Sequence, residues 1–133
     1  MIYINGGSRN QRKYALSMAQ YVCEKFDVNP TVEINFRRMS NDENYGYCTE
    51  LEDGEYEVDI KRTLSMRTML CTLAHEMVHV KQYELGELTQ TNEAGIDYWD
   101  KPSEIEATGR EVGLFIRWCE KEHLAHLSWT QLN

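Results

Sequence analysis

Apolar and polar positions along this chain follow two rhythms, and the places where one gives way to the other divide it into elements. Residues 10–26 repeat at three and four, with Tyr14 or Ala15, then Ala19, Val22, Cys23 and Phe26, as one face of a helix does. Ser8 or Asn10 serves as the cap, and Gly6-Gly7 before them reads as a turn. After Asn29-Pro30 the period drops to two, so residues 31–36 predict a half-buried strand. The polar run at 40–44 reads as a loop. Residues 45–51 and 55–60 flank Asp53-Gly54, a strong hairpin signal. In the second of these strands Tyr56, Val58 and Ile60 face one way, and Glu55, Glu57 and Asp59 the other.

The longest helical repeat spans 65–85, through Met66, Met69, Leu70, Leu73, Ala74, Met77, Val78 and Val80 or Lys81, with Gly86 as terminator. Residues 87–101 show no period and predict a loop with at most one short turn. A last helix, from near Pro102 to about Glu122, is expected to bury Ile105, Val112, Phe115 or Ile116, and Cys119. The tail at 125–133 carries Leu127, Trp129 and Leu132, which can pack back on the body. Together these elements predict one α+β domain over residues 1–133: an N-terminal helix, a small sheet with a hairpin, and two further helices.

Composition narrows the function. With 133 residues, 41% of them hydrophobic and 27% charged, the chain is of ordinary globular type. Polar residues interrupt every apolar run, which excludes a membrane span. Met1 to Asn5 lack the basic-then-apolar layout of a secretory signal, which predicts a cytoplasmic protein, in the host cytoplasm if the chain is viral. A net charge of −8 makes nucleic acid a poor partner, since phosphate binding needs concentrated positive charge. The four cysteines, Cys23, Cys48, Cys71 and Cys119, form no close pair and are expected to be reduced thiols in or near the core.

The chemistry lies on the long helix, in His75-Glu76-Met77-Val78-His79. Positions four apart differ by roughly 40° around a helix axis and about 6 Å along it, so the two imidazoles converge on one ion. Zinc takes neutral imidazole readily and keeps an open position for catalysis. Glu76 lies about 100° around from His75, too far to be the natural third ligand, but within reach of a water that the ion activates. It is therefore the expected general base, and then the acid that protonates the leaving amine. A third ligand is needed, and His123, His126 and several carboxylates are available.

Two segments carry a family resemblance: Leu73-Ala74-His75-Glu76-Met77-Val78-His79-Val80-Lys81-Gln82-Tyr83, and Pro102 to Gly109 with its Glu104-Ile105-Glu106-Ala107. An H-E-x-x-H followed by E-x-x-A on a second helix resembles the gluzincins, and residues 70–114 resemble small phage-type metallopeptidases. Such relatives are expected to have a tryptophan where this chain has Ser103. The resemblance implies a minimal zincin-like domain, one zinc ion held by His75, His79 and Glu104, and hydrolysis of peptide bonds. Glu106 is the rival ligand, but Ser103-x-x-Glu106 also reads as a capping box, which would occupy it. Thr108, one turn beyond Glu104, either hydrogen-bonds a ligating imidazole or faces solvent.

The resemblance also implies a cleft strand whose free edge pairs with substrate, and nominates residues 55–60 for it. Their acidic face would favour a basic peptide or protein, though a solvated face explains it as well. Tyr98, Tyr83, Arg110 and His123 are candidate donors to the oxyanion, Tyr98 first among them. Ala107, Gly109 and Gly113 are small at helical spacing, which predicts close approach to the metal helix. The competing functions are a zinc hydrolase of non-peptide amides and a protein that keeps zinc for structure. The intact Glu76 speaks against the latter, because a structural site has no use for it.

Overall fold

A computed structural model describes residues 1–40 and 44–131 of the chain. Most of the expected loop at 40–44, together with Leu132 in the tail, lies outside them. The order is strand β1 (Ile2–Asn5), helix α1 (Arg9–Phe26), strands β2 (Thr31–Arg37), β3 (Gly46–Glu52) and β4 (Glu55–Lys61), then helices α2 (Met66–Glu84) and α3 (Pro102–Lys121). Short 3₁₀ turns occupy Tyr98–Asp100 and Ser128–Thr130. This is an α+β fold.

The strand alternation makes the layers. Ile2 pairs with Val32 and Val32 with Tyr56, while Ile34 sits between Ile4 and Val58. These side chains share the face on which α1 and α2 pack, and Ala15, Met18, Ala19, Val22, Leu70, Leu73, Ala74 and Met77 meet them in one core. The opposite face is polar: Asn5 donates to Glu33 and Asn35, Asn35 to Asp59, and Arg37 to Asp59. Ser8 caps α1 in a reciprocal box with Gln11, and Ser65 caps α2 by accepting from the Thr68 amide. Trp129, from the tail, packs on Tyr14 with ring centroids 5.6 Å apart.

The structure departs from the sequence reading at four points. Residues 2–5 form a strand, parallel to β2, because their alternation is completed by a partner far along the chain. The sheet order is β1-β2-β4-β3, so residues 55–60 lie in an interior strand and cannot offer an edge; β3 is the edge beside α2. On α3, Ile105, Val112 and Ile116 are 60%, 43% and 38% exposed, while Ala107, Leu114, Phe115, Trp118 and Cys119 are buried. Both sets repeat helically, and the aromatic pair decides between them: Phe and Trp bury roughly 150–250 Å² each, more than an isoleucine can. Trp118 also finds a partner for its indole N–H in Ser17 Oγ, at 2.9 Å.

The fourth correction concerns the glycines. Ala107 makes the contact within the core, but a Cβ at Gly109 or Gly113 would meet nothing within 4 Å, so neither permits close helix approach. Gly113→Ala should therefore raise stability by about 1 kcal/mol, the ordinary helix penalty of glycine. Urea unfolding measures it, and a loss would mean that something covers this face.

Candidate metal centre

Helix α2 presents His75 and His79 one turn apart, with ring centroids separated by 5.0 Å. Glu104, in the first turn of α3, reaches both: its Oε1 lies 3.0 Å from His75 Nε2 and its Oε2 3.0 Å from His79 Nε2. One ligand atom from each residue falls within 4.8 Å of the others, and this is the one such acidic, histidine or cysteine cluster among the described residues. The start of α3 is fixed from several sides. Pro102 occupies the first turn, where its missing N–H costs nothing. Glu93, from the preceding loop, accepts both the backbone N–H and the hydroxyl of Ser103. Gln82 of α2 donates to the Ser103 carbonyl at 2.9 Å.

The electrostatics reflect this crowding. Burial alone would lower the His75 pKa, but hydrogen bonds to Glu104 and Glu111 overcome it and push it up to about 10. His79 is likewise raised, burial opposing and Glu104 prevailing. Glu104, whose burial would raise it, is instead held well below the usual carboxylate range by His75, His79 and the Tyr98 hydroxyl. A borderline divalent ion suits two imidazoles, once each gives up its Nε2 proton, and one ionised carboxylate. Glu76 differs. It is buried, its burial raises its pKa against the opposing pull of His75 and His79, and among the described residues its carboxylate has no hydrogen-bond or ion-pair partner.

Cavities open on both sides of the triad. One of about 260 Å³ is lined by His79, Glu104, Tyr83, Cys48 and the loop through Gly95. The other, about 170 Å³, is lined by His75, Glu76, Glu111, Tyr45, Gly46 and Tyr98. Strand β3 runs past both, and among the described residues only β4 pairs with it. A Cβ on Gly46 would come within 2.9 Å of the Thr72 methyl, so glycine is what lets this edge lie against α2 just before His75.

Of the sequence candidates, His75, Glu76, His79 and Glu104 meet here, with Tyr98 donating to Glu104 Oε1 at 2.9 Å. Glu106 does not join them, nor does it form the capping box: the helix cap is Lys101, and the Glu106 carboxylate accepts from Lys81, Gln82 and Arg110 instead. Thr108 faces solvent, as do His123 and His126. Arg110 is engaged by Glu106 and lies over the Phe26 ring. Tyr83 lines the larger cavity. Two residues at the site lie outside both the H-E-x-x-H and the E-x-x-A motif of the sequence. Glu111 approaches His75 Nδ1 at 3.5 Å, and Gln82 approaches His79 Nδ1 at 2.8 Å. Their spacing was the available signal: Glu111 lies two helical turns beyond Glu104, and Gln82 one turn beyond His79.

The four cysteines are free thiols, and burial pushes the Cys48 thiol well up. No helix among the described residues is long and apolar enough to cross a membrane. No family model, curated protein or solved structure matches the chain.

Proposed function

We propose that this chain is a zinc-dependent hydrolase of peptide bonds, with one ion held by His75, His79 and Glu104 and with Glu76 as general base. The observation that carries the reading is the pairing of a three-donor cluster with a buried carboxylate that has no partner among the described residues, on the same helix and opening to a cleft. Structural metal sites are closed by protein ligands, whereas this one has three donors and open space on two sides. When bound, zinc supplies a Lewis acid that polarises a carbonyl and lowers the pKa of water to about 7.

The chain's own residues supply the rest. Glu76 takes the proton of the attacking water and delivers it to the leaving amine, a task suited to a carboxylate whose pKa burial has raised. The Tyr98 hydroxyl, already at the rim of the site, donates to the carbonyl oxygen as it gains charge. Strand β3 offers its edge N–H and C=O groups to an extended substrate. Tyr45, Tyr98 and Glu111 around the smaller cavity suit a basic side chain, by cation–π contact and charge.

Elemental mass spectrometry of protein purified without added metal should find equimolar zinc. The zinc-loaded chain should then cut members of a broad peptide library, with a chelator stopping the cutting and zinc restoring it. A zinc-loaded chain that leaves the whole library intact sinks the peptidase reading. Failure to hold zinc even after reloading sinks the metal centre with it.

A further inference from the structure

Each histidine of the triad has a second ring nitrogen, and what those nitrogens touch is informative. Both rings turn Nε2 toward Glu104, so both Nδ1 atoms point away from it. His79 Nδ1 lies 2.8 Å from Oε1 of Gln82, a side chain whose surface is 2% exposed. The two ends of an amide are nearly isosteric, so its hydrogen-bond partners decide which way it turns. Here the network allows one assignment. Gln82 Nε2 faces the Ser103 carbonyl oxygen and Glu106 Oε1, each at 2.9 Å. Both are acceptors without a proton, because the Glu106 carboxylate is held ionised by Lys81 at 2.7 Å and Arg110 at 2.8 Å on its other oxygen. A flipped amide would set its oxygen against two oxygens in a buried place and leave its NH₂ short of acceptors, a costly arrangement.

With Nε2 of Gln82 committed, its Oε1 must face His79. An amide oxygen only accepts, so His79 must keep its proton on Nδ1, and the nitrogen left to give up its proton and offer a lone pair to an incoming ion is Nε2, which here faces Glu104. That is the nitrogen turned to the centre of the triad. From this chain of contacts we propose that Gln82, oriented by Glu106, is a positioning residue that sets the tautomer of His79, so that Nε2 is the atom offered to the metal. The inference rests on reading the triad as a zinc centre. It also gives Glu106 a role at one remove: it serves the ion by locking the amide that locks the ring. Glu111 faces His75 Nδ1 in a similar way, but at 3.5 Å the contact is looser and depends on no forced orientation.

The test is zinc affinity of the full chain, by competition with a chromophoric chelator, alongside the His79 Nδ1–H signal in ¹⁵N-resolved NMR of the zinc-loaded protein. Gln82→Leu should weaken zinc binding by about 10- to 100-fold, the usual loss when an outer partner of a ligand is removed. The slowly exchanging Nδ1 proton should be lost at the same time while the backbone amides of α2 and α3 keep their protection, which separates the lost contact from loosened helix packing. Glu106→Gln keeps the shape but frees the Gln82 amide to turn, and should move both readouts in the same direction by less. Affinity and proton signal unchanged in Gln82→Leu overturn the assignment while leaving the zinc centre intact. If Gln82→Leu does not fold, the same null result in Glu106→Gln overturns it. An unaltered chain that takes up no zinc removes both the centre and this inference.

Discussion

Glu104→Ala is expected to strip the site of most of its zinc. Glu104 is the sole residue of the triad that comes from α3, and its two oxygens each sit 3.0 Å from an imidazole Nε2. Without it the ion keeps two ligands on one helix, a pair that cannot complete a catalytic zinc site by itself. Apparent binding free energies of about 10–16 kcal/mol are typical of four-ligand zinc sites, so one ligand accounts for about 3 kcal/mol, or a loss of more than a hundredfold. Glu106→Ala should lose less, because Glu106 reaches the centre through Gln82 alone. Zinc content by elemental mass spectrometry, read beside chelator competition, separates the two. Equal retention in Glu104→Ala would move the third ligand elsewhere.

Glu76→Gln is expected, on the proposed reading, to have the opposite signature, with zinc kept and turnover lost. The side chain is nearly isosteric, it is not part of the donor cluster, and it has no partner among the described residues to leave stranded. Removing a buried charge costs the fold nothing, so thermal stability should hold or rise. A general base and acid contributes about 10²- to 10⁴-fold, and kcat should fall by that order with zinc content unchanged. Full turnover in this variant would refute the mechanism.

Local periodicity made much of this legible. The α1, α2 and hairpin signals fall within a residue or two of the observed elements, since caps such as Ser8 and Ser65 and turns such as Asp53-Gly54 act over a few residues. The His75–Glu76–His79 arrangement was legible for the same reason, because one helix turn is enough to bring the imidazoles together. What sequence could not settle depends on rotation and order. The side of α3 that faces inward was decided by Phe115 and Trp118 against an equally periodic stripe of Ile105, Val112 and Ile116. The strand that forms the edge depended on β2 inserting beside β4, a long-range parallel pairing that no hairpin rule foretells. Gln82 and Glu106 acquire their roles only once α2 and α3 are side by side.

The edge of β3, which only β4 pairs among the described residues, has a consequence beyond the proposed substrate. Any strand can dock on an unpaired edge, including the same strand of a second molecule, and such pairing is a route to aggregation. Here the hairpin end of the edge strand carries Glu50 and Glu52. Side-by-side pairing of two such edges brings added negative charge together on a chain that already bears −8. The acidity of this region thus guards the protein against its own copies, and high salt, which screens that repulsion, is the condition under which it should first self-associate.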